Sequence, residues 1–518
     1  MSKTNIILEK NIRFSESAMW HDQKNYYDQK GIEAWDEDVP FYITSNPFIA
    51  RDYAKLLIAF MQDWISKNPD AKNHPFVILE LGAGTGQFSF YVLKHFIEMQ
   101  KKLKLDEIKV LYVMSDVTSR PFTFWSQQPQ LKPFIESGAL DFCIFDLYHE
   151  TKINLHHAKK TIGVAQMHNP MVIIANYLFD SIATDVFTAK DGQLFESLVT
   201  VETNQANLKA GKPVDFKKIK IAYHPSAIEK SYYQNEFDTV LLDYANTLAD
   251  THFQFPIAGL HALKNLQALS HNQFLLLSSD KGYTNLEELD NCDHPELDYH
   301  GSFSVMVNYH AIGEYLKQCD GEYHIQSFRA NMVTGIFSSG FAFDELSRFN
   351  FAMQHVIDEF SPTDYFLIYE HFLKGYKKSS LEEMASYFNL SNWDPHLFDQ
   401  VNTYFTSMIE DGDPEAIMYL SQNMSRIAAH FYYLPSASDT LFNIALFYQE
   451  VSDFDEAISY YEKSQQYFGE SDITLFNMAM CYHHSNRKAE ALSCLARALE
   501  LNSSADDVRE WIDIVSKK

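Results

Sequence analysis

Long apolar runs are missing from this chain. Nowhere do its 518 residues string together the roughly 20 apolar residues a helix needs to cross a bilayer, so no membrane-spanning helix is expected. The opening, Met1-Ser-Lys-Thr-Asn-Ile-Ile-Leu-Glu-Lys10, has a three-residue apolar island and no small-residue cleavage pattern. Neither a secretory signal nor an Arg-rich, acid-poor transit peptide is read there. Cysteine is scarce and scattered: Cys143, Cys292, Cys319, Cys481 and Cys494 never form C-x-x-C. That pattern indicates neither a disulfide framework nor a zinc site and fits a reducing compartment, read here as the cytoplasm. Basic residues are also short, 42 Lys and Arg against 69 Asp and Glu for a formal charge of −27. A nucleic-acid binder carries a basic footprint, so nucleic acid is not an expected partner, whereas a basic protein or peptide is compatible with the charge.

Aromatic residues are plentiful, with 40 Phe and 30 Tyr, and the chain is too long for one core, which implies two or three folded domains. The most informative run is Phe76-Val-Ile-Leu-Glu-Leu-Gly-Ala-Gly-Thr-Gly-Gln-Phe88. Phe76 to Leu79 reads as a buried strand, Gly82, Gly84 and Gly86 alternate through a tight turn, and Phe88, Val92, Leu93 and Phe96 fall at helical spacing. Strand, glycine turn, helix is a geometry that lets backbone approach a ligand at a helix N-terminus. The turn is not the dinucleotide G-x-G-x-x-G, and a P-loop is excluded because no Gly-Lys-Ser/Thr follows. Taken alone, it is equally a turn that binds a nucleotide or nothing.

E-L-G-A-G-T-G resembles the first motif of class I S-adenosylmethionine (SAM) methyltransferases. The resemblance implies a Rossmann-like α/β domain, SAM as cofactor, Gly82, Ala83, Gly84 and Gly86 passing beneath its amino-acid part, and Glu80 meeting its ammonium or a bridging water. Further upstream, Met19, Tyr26-Tyr27 and Phe41-Tyr-Ile-Thr-Ser-Asn-Pro47 resemble the N-terminal region of the MidA-like methyltransferases. That family includes a mitochondrial complex I assembly factor that methylates a protein arginine. By this resemblance Thr44 and Ser45 sit beside the cofactor. The chain departs from the family in lacking a glycine before Tyr-Tyr and in having Asn46-Pro47 where Pro-Glu is usual.

Lys109 to Asp116 reads as a second strand ending in an acid, and Ala139 to Asp146 as a third. In the resembled fold Asp116 accepts the ribose hydroxyls, a task suited to a carboxylate that takes two hydrogen bonds, and Asp146 reads the adenine amino group. The alternative for Asp116 is a strand-capping residue. Met171 to Ala175 is a buried strand by composition, followed by Asn176 and, four residues later, Asp180. The family carries Asn-Glu-x-x-Asp here, so the resemblance makes Asn176 and Asp180 the candidate catalytic pair, with Tyr177 replacing the glutamate. The bland reading is an Asn turn and an Asp N-cap. Asp238 to Tyr244 and Gln273 to Ser279 are read as later strands, separated by a helix from Ile257 to Leu269, and helices are read over Ile12 to Trp20 and Pro47 to Trp64.

Beyond Phe341 strand-like runs stop. Ile444-Ala445, Tyr448, Ala457 and Tyr461 recur 34 residues on as Met478-Ala479, Tyr482, Ala491 and Leu495, the tetratricopeptide period and pattern. The expected organisation is an N-terminal helical and aromatic segment over the cofactor site (1–75), a methyltransferase domain (76–340), a helical linker or degenerate repeats (341–435), and tetratricopeptide repeats with a capping helix (436–518). The function expected is SAM-dependent methylation of a protein side chain, arginine by resemblance, with the repeats recruiting substrate or partner. The alternative is a non-catalytic SAM-binding scaffold.

Overall fold

The computed structural model describes residues 6–31, 42–205, 215–228, 231–327 and 332–517. Phe41, part of the N-terminal resemblance, lies outside them. The chain divides into two compact units, Met1–Phe366 and Leu367–Lys518. The division falls later than the 340/341 boundary read from sequence, because the helix Ser347–Met353 is tied into the first unit. There the Asp63 carboxylate accepts the backbone N–H groups of Arg348 and Phe349 at 2.7 and 3.0 Å, and the Phe349 ring packs on Phe60.

The first unit is built on seven strands: β1 (Phe76–Leu81), β2 (Val110–Asp116), β3 (Leu140–Ile144), β4 (Met171–Ile174), β5 (Phe274–Asp280), β6 (Tyr323–Ile325) and β7 (Val333–Ser339). Their order across the sheet is β3-β2-β1-β4-β5-β7-β6. β1 to β5 run parallel, while β7 pairs antiparallel with both β5 and β6. Every residue of β1 and β4 is buried, the environment of a parallel strand covered on both faces, which is why these segments read as unbroken apolar runs rather than alternation. Strand order reverses between β1 and β4, and in such sheets the crevice at the carboxyl ends of the reversing strands is where ligands bind. This is the Rossmann-like sheet expected of a class I methyltransferase domain.

Helices α1 (Ala18–Lys30), α2 (Pro47–Lys67) and α3 (Gln87–Leu103) lie ahead of β2 in the chain. The start of α2 is set as its sequence implies: the Asn46 side chain accepts the Ile49 N–H at 3.1 Å and Pro47 occupies the first turn. Between β4 and β5 the chain builds a second, antiparallel sheet from Asp185–Lys190, Gln193–Thr203, Ile219–Ala227 and Asp250–Phe255, which Ile6–Ile12 joins by pairing with Gln193–Thr203. Its core holds Phe14, Met19, Trp20, Phe216 and Phe303, so the N-terminal segment is anchored far along the chain.

Two sequence readings change here. The helix read over Ile12 to Trp20 is a strand end, a 3₁₀ turn at Phe14–Glu16 and only then α1. The strand read at Asp238 to Tyr244 is a helix, α4 (Phe237–Thr247). Its buried residues Phe237, Val240, Leu241 and Tyr244 stand at i, i+3, i+4 and i+7, the spacing of one helical face. Asp238, read as the polar edge of a strand, instead accepts the N–H groups of Tyr232, Tyr233 and Gln234. The helix α5 (Ile257–Leu269) and β5 follow as read.

In the second unit, α6 (Thr440–Glu450), α7 (Phe454–Phe468), α8 (Asp472–His484) and α9 (Lys488–Leu501) repeat at the expected period, and Asp506–Lys517 follows. Ala445, Ala457, Ala479 and Ala491 have no exposed surface, as close helix approach at small residues requires. Ahead of them, Asp399 on the helix Pro395–Ser407 clamps α6 by accepting from Thr440 Oγ1 at 2.6 Å and Asn443 Nδ2 at 2.8 Å. Among the described residues no helix is long and apolar enough to cross a membrane.

Candidate functional site

Gly82, Gly84 and Gly86 adopt φ of +67°, +55° and +79°, a left-handed backbone that costs other residues roughly 1–2 kcal/mol each. The turn is tied to β2 through the Ala83 N–H, which donates to the Ser115 carbonyl at 3.0 Å, and α3 starts immediately after it. Two cavities open on this turn. The larger, about 840 Å³, is lined by Gly82 and Gly84, by Asp116 at the end of β2 and Asp146 beyond β3, by Tyr27 of α1, and by Tyr177 and Ser181 after β4. The smaller, about 40 Å³, is a cradle lined by Thr44, Ser45, Glu80, Gly82, Ala83, Gly84, Asn176 and Tyr177, among others. The two share Leu81, Gly82, Gly84 and Tyr177, so they adjoin along the glycine turn.

The acids of the site differ in environment. Glu80 is buried, and its Oε2 accepts from the Ser89 hydroxyl and from Tyr112 O–H at 2.8 Å; burial outweighs these donors and pushes its carboxyl up to about 7. Burial likewise pushes Asp116 up to about 6, although Thr118 N–H donates to its Oδ1 at 3.1 Å. Asp146 stands two residues past the end of β3 with its side chain 30% exposed. Its burial is outweighed by the Tyr148 N–H at 2.9 Å and by His149, which hold it below the usual range.

Asn176 and Asp180 part company. Asn176 Oδ1 accepts from Tyr53 O–H at 2.9 Å and from the Ser279 N–H at 3.0 Å. Its Nδ2 is buried and has no hydrogen-bond partner among the described residues. Tyr177 follows at φ +50°, a conformation held against its side chain's preference and of the kind that clusters at ligand sites. Asp180 lines neither cavity. It is 3% exposed, its N–H donates to Asp280 Oδ2 at 3.1 Å, and Ser181 Oγ donates to its Oδ1 at 2.7 Å. Burial and the neighbouring carboxyl hold Asp280 well above the ordinary carboxylate range, and burial raises Asp180 too. Gly86 shapes the turn without lining either cavity.

Sequence reasoning missed Tyr53, Ser279 and Asp280, which fix the loop after β4 from 123, 103 and 100 residues away. Their only local signal was the polar end of β5. His310 is mostly buried, with Tyr244 O–H 2.8 Å from its Nδ1. Among the described residues no group of His, Cys, Asp and Glu is arranged to hold a metal ion.

Comparison with known proteins places these features in a class. Residues 56–263 match the family described as "Putative S-adenosyl-L-methionine-dependent methyltransferase", and residues 436–504 match the tetratricopeptide repeat. The strand order, the glycine turn with its acids and this match together define a SAM-dependent methyltransferase domain followed by tetratricopeptide repeats, and the cofactor is S-adenosylmethionine. No curated protein matches the chain. Similar solved structures include a Burkholderia thailandensis protein bound to S-adenosyl-homocysteine (11% identity, 64% of this chain and 95% of that one, TM-score 0.36). Others are the N-methyltransferase NodS from Bradyrhizobium japonicum with S-adenosyl-L-homocysteine (10%, 61% and 99%, 0.28) and a TPR protein from Thermus thermophilus (17%, 34% and 91%, 0.23).

The residues present fit that cofactor. A buried acid, a left-handed glycine turn and an unpartnered amide donor surround the small cradle, as a zwitterionic amino-acid head requires. The adjoining cavity carries Asp116 and Asp146.

Proposed function

We propose that this chain methylates a protein side chain, with the helical repeats recruiting the substrate or a partner. Arginine is the acceptor implied by the MidA-like resemblance. The observation carrying the reading is that Glu80, Gly82 and Gly84 line a small cradle that adjoins, along the glycine turn, a cavity lined by Asp116 and Asp146 and large enough for a nucleoside and an acceptor group. SAM supplies a methyl carbon on a sulfonium that leaves as a neutral thioether. The acceptor's lone pair forms the new bond as the carbon–sulfur bond breaks, and the acceptor's proton must then depart. The protein's share is alignment and a place for that proton.

Glu80, Thr44 and Ser45 hold the amino-acid end, Asp116 the ribose and Asp146 the adenine. Asp180 acts as a positioning residue: it orients the Ser181 hydroxyl, which lines the cavity. Localisation in the cytoplasm belongs to the same proposal and rests on cysteine usage alone.

The second reading, a SAM-binding scaffold without turnover, is favoured by one observation. Asp180 is withdrawn into a buried pair and Tyr177 stands where the family has glutamate, so neither acid reaches the cavity wall. Calorimetric binding of SAM and S-adenosylhomocysteine, followed by incubation of a proteome with methyl-labelled SAM, separates the cases. Micromolar binding with a labelled protein supports the enzyme, and binding without any label supports the scaffold. No binding at millimolar ligand overturns both.

A further inference from the structure

The loop after β4 carries an unexplained feature in the unpartnered amide of Asn176. The orientation of this side chain is fixed by its neighbours. The Ser279 backbone N–H can only donate, so the atom 3.0 Å from it must be the amide oxygen. Tyr53 O–H, 2.9 Å away, donates to the same oxygen, and Tyr53 is itself held 2.9 Å from Ser279 Oγ. Tyr53 has no exposed surface. Flipping the amide would set N–H against N–H and orphan the oxygen, so the –NH₂ is the arm left over. Asn176 is a wall residue of the 40 Å³ cradle, and its Nδ2 is buried without a partner among the described residues. A buried donor left unpaired is costly to the fold, and a protein that preorganises one this firmly has a use for it.

We infer that Asn176 Nδ2 binds the carboxylate of the cofactor's amino-acid end, making Asn176 a cofactor-binding rather than a catalytic residue. The assignment rests on the SAM reading of the site. It follows from the cradle's polarity: Glu80, the buried acid of this cradle, suits an ammonium, and an N–H donor in the same cradle suits the opposite end of a zwitterion. The hydroxyl residues Thr44 and Ser45 line the same small space, which is far too small for a nucleoside ring and lies across Gly82, Gly84 and Tyr177 from the cavity that can take one. Tyr53 and Ser279 become positioning residues, acting through Asn176. The loop after β4 thereby holds the cofactor's head with one residue and presents the next, Tyr177, to both cavities.

The test uses the full chain and three ligands: S-adenosylhomocysteine, S-adenosyl-3-thiopropylamine (the same molecule without its carboxylate) and 5′-methylthioadenosine, which lacks the amino-acid end. Asn176→Asp keeps an acceptor oxygen for Tyr53 and Ser279 and turns the donor into a second acceptor. Calorimetry is expected to show the wild type binding S-adenosylhomocysteine at least tenfold more tightly than the thiopropylamine. Asn176→Asp should weaken S-adenosylhomocysteine at least thirtyfold and leave methylthioadenosine within twofold. The inference is overturned if the wild type binds the first two ligands equally, a comparison that needs no variant to fold. It is also overturned if Asn176→Asp weakens all three ligands alike, which is the signature of a merely structural residue. If the wild type binds none of the three, the SAM reading itself has failed.

Discussion

The loops that follow β1 and β4 stand side by side at the mouth of the same sheet, yet they are built on opposite principles. The β1 loop works through its own backbone: three glycines in left-handed conformation, an acid at the strand end and a helix start, all between Glu80 and Gln87. The β4 loop works through distant side chains. Asn176 is oriented by Tyr53 and Ser279, and the Asp180 N–H donates to Asp280. A ligand site can thus be assembled from a local conformation or from a long-range network, and the two fail in different ways when altered.

The sharpest break should come from Gly84→Val. A β-branched residue at φ +55° is strained, and its side chain would occupy space next to the cradle and the cavity at once. Affinity for S-adenosylhomocysteine is expected to drop more than about 100-fold, roughly 2.7 kcal/mol or more, in a calorimetric titration. Retained micromolar binding would show that the glycine turn is not where the cofactor passes.

Glu80→Gln tests the same loop through charge. Glu80's folded value of about 7 lies above the usual glutamate value, so the ligand-free fold is favoured at low pH and loses that advantage as pH rises through about 7. The neutral variant should therefore be more stable at pH 8, by at most about 3 kcal/mol, and no more stable at pH 4. Its hold on the ammonium should weaken by about tenfold or more, because hydrogen bonds to charged groups carry roughly 1.5–3 kcal/mol. Thermal melts at the two pH values and one titration check both halves; a variant that is destabilised at pH 8 would contradict the burial argument.

In the other loop, Asp280→Asn removes a carboxyl whose ionisation burial and the neighbouring Asp180 both oppose. A higher melting temperature at pH 8 than the wild type, with the difference vanishing in acid, is expected, by a few degrees as befits about 1 kcal/mol in a large unit. An unchanged melting curve at pH 8 would mean that the pair carries no repulsion to relieve.

These two loops also mark how far the sequence could be read. The β1 loop was legible because its determinants are contiguous, and so was the 34-residue repeat, where alanines with no exposed surface recur at fixed spacing. Pro47 and Asn46 announced the start of α2 in the same local way. What the sequence could not show was contact over a hundred residues: that Asp180 would face Asp280, or that Asn176 would spend its oxygen and not its nitrogen on the protein. The misread strand at Asp238 has a different cause. A run of apolar residues shorter than a dozen fits both periods, and only the seven-residue reach from Phe237 to Tyr244 distinguishes a helix.

The smallest effects should separate the two acids Asp116 and Asp146. Ionised, Asp116 offers both oxygens as acceptors to hydroxyl donors, whereas protonation turns one of them into a donor, and its value of about 6 places that change within reach of experiment. As pH falls from 7 to 5, binding of S-adenosylhomocysteine should weaken by about tenfold beyond the change that Glu80 causes, since one pH unit below a titrating group corresponds to about 1.4 kcal/mol. In Asp116→Asn that component should disappear, leaving a uniformly weaker site. Asp146 is held below the usual carboxylate range by the Tyr148 N–H and His149 and stays ionised across the same interval. Asp146→Asn should cost only a few-fold, about 1 kcal/mol for a hydrogen bond at a partly exposed group, and should leave the pH profile of the wild type intact. If Asp146→Asn flattens that profile and Asp116→Asn does not, the roles given to the two acids are reversed, and the nucleoside lies the other way round in the cavity.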